Sequence, residues 1–430
     1  MATGENKNIV ILGAGIAGIS AAYHAKKIGM RVSLYEARAR PGGLLGNFTI
    51  DGFRFDNAIH LSFTRDDYVR TLFDQTPYYT HMPESYCKDR EFWLKHPVQN
   101  NLFPLPVDEK ISLIESFVDR PITTPQNYKE WLNCQYGLKF SAKYPERYTL
   151  KYWGVEPEKL SLNWIGNRIR KADVKEILKG AFESRDDNHY YATEMRYPKQ
   201  GGYYSFIQNM ANEVNVECDK EAVRISLSNK TITFKNGTKI QYDNLISSLP
   251  LPIICNIIEE CPPSVLEASS SLLWTTVDLI SIGFNMPEVP PYLWFYIYDD
   301  DCLAARAYSP SLKSPDNAPQ SKSSLQFEIY NLSIKKRLDK NTLVSNIKEK
   351  LLEMKICKED DIEFIHHKHL PFGNVVFDMG MEDRRQVVLD FLKSNKIHTC
   401  GRFGEWDYLW SDQSLLSGKK VSESLFANSK

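Results

Sequence analysis

The residues with the clearest capacity for chemistry lie near the N-terminus, in the hexapeptide GAGIAG at 13–18. In a G-x-G-x-x-G turn, Gly13 permits the tight turn, Gly15 lets a pyrophosphate approach the backbone, and Gly18 lets a helix pack on a strand. Glu36 follows at the distance of an acid that accepts hydrogen bonds from ribose hydroxyls. Free N–H groups at the helix N-terminus favour phosphates. This spacing predicts dinucleotide binding, and a glycine-rich turn without a ligand is the alternative.

The segments around the turn are those that position such a ligand. Ile9–Leu12 is an apolar run of strand length, an apolar helical pattern follows, and Arg31–Tyr35 is a second strand that ends at Glu36. The pattern therefore predicts a βαβ unit in a Rossmann-like α/β domain.

A second glycine pair follows in PGG at 41–43. The spacing E-x-x-x-x-x-G-G from Glu36 resembles the large FAD family of amine oxidases and their relatives. In that family the second pair lets the chain pass close to the cofactor. The resemblance implies FAD, with Ala17 and Gly43 among its contacts.

Bulk composition narrows the class of protein. The 430 residues are enough for two or three domains, and a net charge of −1 gives no positive excess for nucleic-acid binding. Eight scattered cysteines without a C-x-x-C pair indicate reduced thiols. Because there is no framed signal peptide and no run of about 18 apolar residues, we predict a cytoplasmic protein without a membrane span.

Hydrophobic periodicity divides the chain. Helical spacing recurs through 107–185, and strong alternation through 272–335 predicts an antiparallel sheet. The predicted fold class is α/β, a Rossmann-like FAD-binding domain (GR2-type) with an inserted helical region and an antiparallel β-sheet substrate domain. The FAD-binding domain is predicted to be discontinuous, with segments 1–85, 196–265 and 371–430. The helical substrate region is predicted at 86–195 and the antiparallel sheet substrate domain at 266–370.

Several side chains could line a binding cleft, and each also has a plain structural explanation. His60 lies in a loop that in flavoproteins commonly lies under the isoalloxazine ring, or it is a hydrogen-bonded loop histidine. Gln99 and Asn100 could read a base edge or a sugar, or could belong to an ordinary polar loop. Trp164 stands in an aromatic-rich helical segment that could wall a sugar cleft or form core.

The sequence HHKH at 366–369 raises the question of a metal site. His367 and His369 would share one face of a strand. No acidic or cysteine cluster accompanies them in the sequence, so we predict no metal site.

Four longer segments, in the same order, resemble the UDP-galactopyranose mutase family, more the eukaryotic than the short bacterial type. They are HPVQNNLFPLP (96–106), YTLKYWGVEPEKLSLNWIGNRI (148–169), ARAYSPSLKSP (305–315) and CGRFGEWDYLWSDQS (400–414). The resemblance implies an FAD-dependent isomerase of polysaccharide biosynthesis that interconverts the pyranose and furanose forms of a nucleotide sugar. Reduced flavin N5 would be the nucleophile at the anomeric carbon, without net redox change. An electron donor is then required, and NAD(P)H is a candidate.

The resemblance also implies roles by matched position. Arg306 would hold the diphosphate through its planar fork, and Arg168 would assist at the same charge or hold a mobile loop. The implied catalytic residues are Arg306, Arg168, His60 and Tyr408. The implied substrate contacts are Gln99, Asn100, His96, Trp164 and Phe372. The further implied cofactor contacts are Val223 at the adenine and Arg402, Asp412, Gln413 and Ser414 in the C-terminal segment.

Three positions depart from the family pattern. His96 stands where the eukaryotic family has a tyrosine at the uracil, Phe372 stands where a substrate tyrosine is expected, and 57–59 replaces a glycine-rich run. The sugar and the base therefore stay open. An FAD-dependent oxidoreductase of the amine-oxidase or protoporphyrinogen-oxidase type is the main alternative. A non-catalytic relative that keeps FAD is another.

Overall fold

A computed structural model describes residues 8–82, 84–166, 173–184 and 194–427 of the chain. Its strands are β1 (Asn8–Leu12), β2 (Arg31–Tyr35), β3 (Asn47–Ile50), β4 (Phe53–Asp56), β5 (Tyr78–His81), β6 (Tyr86–Asp89), β7 (Phe92–Lys95), β8 (Met195–Pro198), β9 (Val216–Glu217), β10 (Ala222–Ser226), β11 (Thr231–Phe234), β12 (Lys239–Gln241), β13 (Asn244–Ser247), β14 (Thr275–Phe284), β15 (Trp294–Ile297), β16 (Arg306–Tyr308), β17 (Ser323–Leu332), β18 (Ile362–Leu370) and β19 (Ile397–Thr399). Its α-helices are α1 (Ile16–Lys27), α2 (Asp67–Phe73), α3 (Val107–Val118), α4 (Tyr128–Tyr136), α5 (Leu138–Lys143), α6 (Pro145–Trp153), α7 (Val174–Phe182), α8 (Ser205–Glu213), α9 (Leu251–Ile257), α10 (Pro263–Ser270), α11 (Pro310–Lys313), α12 (Lys340–Glu353), α13 (Met381–Ser394), α14 (Gly401–Gly404) and α15 (Ser411–Ala427).

A five-stranded parallel sheet carries the N-terminal βαβ unit, in the order β19-β13-β1-β2-β9. Ile9 and Ile11 of β1 face one hydrophobic core, and Val10 and Leu12 face another. Burial on both faces is typical of parallel strands and explains the unbroken apolar run of β1. In such sheets ligands bind beyond the carboxyl ends where the strand order reverses, which here is directly after Leu12.

Two helices begin at this edge of the sheet. Helix α1 packs closely on α15, because a Cβ at Gly418 would lie 2.1 Å from the carbonyl oxygen of Ala17. The Oγ of Ser422 donates to the carbonyl oxygen of Ala21 at 2.8 Å. The pairs 17–418 and 21–422 run in the same direction, so α1 and α15 present their N-termini on the same side.

A seven-stranded sheet lies opposite, in the order β18-β14-β17-β16-β15-β6-β7. The long strands β14 and β17 pair antiparallel, as the alternation predicted, and they are almost wholly buried on both faces. Two details differ from the sequence prediction. Residues 86–95, assigned to a helical region, form β6 and β7 and extend this sheet, and residues 306–308, for which no strand was predicted, form the short strand β16. Strands of three or four residues are too short for alternation to reveal them.

The helices α3–α7 cover one end of the seven-stranded sheet. The Nζ of Lys151 on α6 donates to the carbonyl oxygens of Ile297, Asp299 and Ala304 at 2.7–3.1 Å. These bonds fix α6 against the connection between β15 and β16. The eight cysteines are free. Within the described ranges no helix combines the length and apolar character that a membrane crossing requires.

Candidate active site

A cavity of about 900 Å³ opens between the edge of the parallel sheet, the helical region and the seven-stranded sheet. Its lining joins the turn glycines Gly13 and Gly15, aromatic residues such as Tyr152 of α6, and Arg306 of β16. Ligand sites typically measure roughly 300–1,000 Å³. The cavity therefore lies near the upper end of this range, as a large ligand such as a dinucleotide requires.

One end of the cavity is formed by backbone and by one carboxylate. The Oε2 of Glu36 accepts from the N–H of Ala14 at 2.8 Å, and its Oε1 accepts from the N–H of Arg38 at 3.0 Å. These two bonds fix the carboxylate beside the glycine turn. Gly13 and Gly43 have φ of +92° and +57°, a region that glycine adopts at low cost.

The C-terminal segment closes the middle of the cavity. The guanidinium of Arg402 donates through Nε to the carbonyl oxygen of Leu409 at 2.8 Å and through a terminal nitrogen to Oδ1 of Asn374 at 3.2 Å. It also lies 5.2 Å from the ring centre of Tyr408. Asp412 and Ser414 line the cavity from the first turn of α15.

A buried charged cluster stands at the other end. The Nε of Arg306 donates to Oε2 of Glu328, and a terminal nitrogen donates to the hydroxyl of Tyr330 at 2.8 Å. Burial opposes the charged form of Arg306, but the neighbouring carboxylate raises its pKa well above the ordinary value. Arg306 is therefore a permanent cation at the cavity wall.

Tyrosine and tryptophan side chains surround this cation. The ring of Tyr152 lies 5.2 Å from the guanidinium carbon of Arg306, and its hydroxyl is 3.3 Å from that of Tyr408. Trp164 is in edge contact with Tyr408, at 6.2 Å between ring centres. Burial raises the pKa of Tyr408 well above its ordinary value, so its hydroxyl stays protonated and can donate to an anion.

Two histidines and an amide line the cavity further along. Nδ1 of His60 is 3.1 Å from the carbonyl oxygen of Ala58, and the imidazole stacks on Tyr203 with 5.1 Å between ring centres. The ring of His96 is 4.8 Å from that of Tyr296, and the amide is that of Gln99. Burial lowers the pKa of both histidines to about 4, so they are neutral at pH 7.

This pKa lowering predicts acid lability. Below pH 6.5 the unfolded chain binds protons that His60 and His96 in the folded protein do not, so stability should fall from about pH 6.5 to about 4. Each histidine contributes a slope of up to ~1.4 kcal/mol per pH unit. Urea unfolding at several pH values between 7 and 4 gives the free energy of unfolding as a function of pH. This free energy should fall less steeply with decreasing pH in His96→Gln than in the wild-type protein. An equal slope would contradict the prediction.

Comparisons with known proteins agree with this architecture. A family model for an NAD(P)-binding Rossmann-like domain matches residues 11–76. The “Probable UDP-galactopyranose mutase” of Klebsiella pneumoniae is 25% identical over 239 residues, and the match covers 50% of this chain and 56% of that protein. The chain thus matches little more than half the length of that relative. A crystal structure of reduced UDP-galactopyranose mutase has a TM-score of 0.92 and 26% identity, with 98% of this chain and 96% of that chain covered.

The chain has the fold of a UDP-galactopyranose mutase. A putrescine oxidase variant has a TM-score of 0.70 at 15% identity, with 98% of this chain and 99% of that chain covered, which shows a shared fold alone. The comparisons confirm the predicted α/β class and the Rossmann-like domain. A UDP-galactopyranose mutase is thus a near structural match over almost the whole chain.

The lining of this mutase-like cavity fits a dinucleotide cofactor. The N-termini of α1 and α15 open onto it, and both favour phosphate oxygens. No heavy atom would lie within 4 Å of a Cβ at Gly15, which leaves space for a pyrophosphate. The buried Nδ2 of Asn374 has no hydrogen-bond partner among the described residues and can donate to a bound ligand.

Most of the predicted site residues meet at the cavity. Those that line it are Gly13, Gly15, Ala17, Glu36, Gly43, His60, His96, Gln99, Trp164, Arg306, Phe372, Arg402, Tyr408, Asp412 and Ser414.

Of the five other predicted residues, four have described positions outside this lining and one lies in a part of the chain that the structure does not describe. Gly18 packs against the turn itself, and Asn100 donates to Glu176 at 2.9 Å and so holds α7. Gln413 accepts the N–H of Trp410 at the start of α15. The other two are Val223, which a register shift in β10 leaves 41% exposed away from the cavity, and Arg168, which lies outside the described residues.

Glu328, Tyr330 and Asn374 were not predicted as site residues, but all three contact residues that were. A usable signal existed for Glu328, because it is a charged residue within the apolar alternation of β17.

The structure also explains the histidines of β18. His367 and His369 contact Oδ1 of the buried Asp278 at 2.7 and 3.0 Å. Among the described residues no group of three or more histidine, cysteine, aspartate or glutamate side chains is arranged so that it could hold a metal ion.

Proposed function

We propose that the protein is a flavin-dependent nucleotide-sugar mutase that interconverts pyranose and furanose forms. One observation carries the proposal. The cavity that holds the dinucleotide-binding glycines also holds a half-buried, permanently charged arginine, Arg306, which donates to the hydroxyl of Tyr330 and lies against the ring of Tyr152. Such a group suits paired phosphate oxygens. The fold of a UDP-galactopyranose mutase supports the same reaction class.

The residues divide the work along the cavity. Arg306 and Tyr408 bind the diphosphate of the nucleotide sugar, and Gln99 and His96 lie by the base. Since His96 is neutral, it offers the base one donor and one acceptor instead of a charge. Trp164 packs beside Tyr408 and keeps water away from the anomeric carbon.

FAD is the proposed cofactor, and in its reduced form it supplies the nucleophile, N5, for the anomeric carbon. The protein's role is to stabilise the leaving diphosphate. Negative charge grows on that group as its bond to the sugar breaks, and Arg306 is already oriented by Glu328 to receive it. The same contacts keep the diphosphate in place for its return to the sugar. The electron donor is unidentified, and NAD(P)H is a candidate.

A flavin oxidoreductase is the second candidate, favoured by the fold shared with putrescine oxidase. It accounts for the glycine turn and Glu36 but gives no task to Arg306, a half-buried cation in the same cavity. It predicts substrate-driven flavin reduction.

The deciding experiment uses purified, dithionite-reduced protein and a panel of UDP-, TDP- and GDP-sugars. We expect anion-exchange chromatography to resolve a new peak of unchanged mass for one sugar, and the oxidised protein to give none. The nucleotide sugar of the panel that gives this peak identifies both the sugar and the base. No conversion of any sugar, together with flavin reduction by another compound, would replace the mutase with the oxidoreductase.

A further inference from the structure

One buried carboxylate joins Arg306 to the loop 57–60, which also lines the cavity. Glu328 of β17 is fully buried, and its Oε1 accepts the backbone N–H of Ile59 at 2.6 Å. Its Oε2 accepts from Arg306 and from the hydroxyl of Tyr330, the latter at 2.6 Å. Three donors from two distant regions of the chain therefore meet on a single side chain.

The loop 57–60, which donates the first of these bonds through the N–H of Ile59, has an unfavourable backbone conformation that other contacts must stabilise. Ala58 has a φ of +78°, a left-handed conformation that is unfavourable for a residue with a Cβ. Its neighbour Asn57 donates to the carbonyl oxygen of Gly43 at 3.1 Å and accepts from Lys368 at 2.8 Å. The bond from Ile59 to Glu328 adds a fixed point directly before His60, in the loop that lines the cofactor side of the cavity.

The carboxylate cannot be replaced here by an amide. A glutamine at 328 would offer one acceptor oxygen and one NH₂ group, and the NH₂ group would have to face Ile59 N–H or the donors Arg306 and Tyr330. A donor facing a donor in a buried place breaks the bond. Full satisfaction of the three donors thus requires both oxygens of the acid.

We propose that Glu328 is a positioning residue that holds the diphosphate-binding Arg306 and the cofactor-side loop 57–60 in one arrangement. The inference rests on the proposed function, because it takes Arg306 as the phosphate-binding group. A simple counter-ion for Arg306 would affect the ligand alone. A residue that holds both Arg306 and the loop 57–60 must affect the affinities for cofactor and for ligand together.

The test compares Glu328→Gln with Asp278→Asn in the FAD-loaded protein. Asp278 is a fully buried acid of the same sheet, bonded to Arg337 at 3.0 Å, and it lies outside the cavity lining. FAD dissociation is followed by flavin fluorescence, UDP binding by the flavin absorption spectrum, and the midpoint potential by reductive titration. We expect Glu328→Gln to raise both dissociation constants roughly fivefold or more and to shift the potential. Asp278→Asn should change each dissociation constant by less than about twofold.

A third variant separates the effect on UDP binding from the effect on FAD binding. Arg306→Lys keeps the charge beside Glu328, so it should weaken UDP binding and leave FAD affinity unchanged. If Glu328→Gln weakens UDP alone and leaves FAD affinity and potential unchanged, Glu328 is only a counter-ion and the inference is wrong. If UDP does not bind the wild-type holoprotein, the proposed function fails and the inference fails with it.

A double variant covers loss of folding in the single variant. Arg306→Met with Glu328→Gln removes both charges together, which buried pairs tolerate better than the loss of one. FAD affinity should fall in this double variant as in Glu328→Gln, because both variants lose the carboxylate that holds Ile59 and the Arg306 side of the cavity together. Unchanged FAD affinity in the double variant would overturn the inference.

Discussion

Replacement of Arg306 by alanine is expected to weaken UDP-sugar binding by roughly 2 kcal/mol or more and to abolish measurable turnover. The guanidinium is the only charged group at that wall whose position is fixed by a buried carboxylate among the described lining residues. Under the proposed function, its removal takes away the charge-assisted hydrogen bonds that hold the diphosphate. The dissociation constant of UDP, read from the flavin spectrum, gives the loss directly.

The variant has a second effect that must be separated from the first. Without Arg306 the carboxylate of Glu328 stays buried with no cation, and breaking such a pair costs about 3–5 kcal/mol of folding stability. Binding must therefore be measured well below the unfolding temperature of the variant.

Arg337 offers a matched control. It contacts the buried Asp278 at 3.0 Å in the same sheet, much as Arg306 contacts Glu328, but it does not line the cavity. Arg337→Ala should lower stability and leave UDP affinity unchanged. Equal affinities for UDP in wild-type protein and Arg306→Ala would mean that Arg306 does not hold a diphosphate.

The sequence predicted those features of the site that local chemistry determines. The glycine turn and Glu36 depend on backbone conformation within a few residues, so their spacing alone located the dinucleotide end. The long strands β14 and β17 were also readable, because ten residues give alternation enough repeats. Both features are encoded where they occur.

The rest depends on contacts between residues far apart in sequence. Glu328 and Ile59 are separated by 269 positions, and no local pattern relates them. Asn100 was predicted to contact a base edge or a sugar, but its side-chain amide donates a hydrogen bond to Glu176 of α7. The side chain of Val223, predicted to lie at the adenine, is 41% exposed at a register shift in β10 and is not in the cavity lining. A short pattern gives residue type, but only packing decides which way a side chain points.

The glycines of the turn provide the second large prediction, because they serve different purposes. A Cβ at Gly18 would lie 1.9 Å from the carbonyl oxygen of Gly13, which is backbone and cannot move aside. Gly18→Ala should therefore destabilise the flavin-free protein by about 3 kcal/mol in urea unfolding. A Cβ at Gly15 meets no atom within 4 Å, and its φ of −74° suits alanine.

Gly15→Ala should accordingly leave the stability of the flavin-free protein within about 0.5 kcal/mol of wild type. It should nevertheless weaken FAD binding at least tenfold, about 1.4 kcal/mol, because the new methyl group takes the space of the pyrophosphate. Fluorescence titration of FAD into both proteins measures this loss. The pair of variants thus separates a glycine needed by the fold from one needed by the ligand. If Gly15→Ala binds FAD as tightly as wild type, the pyrophosphate does not pass over this turn.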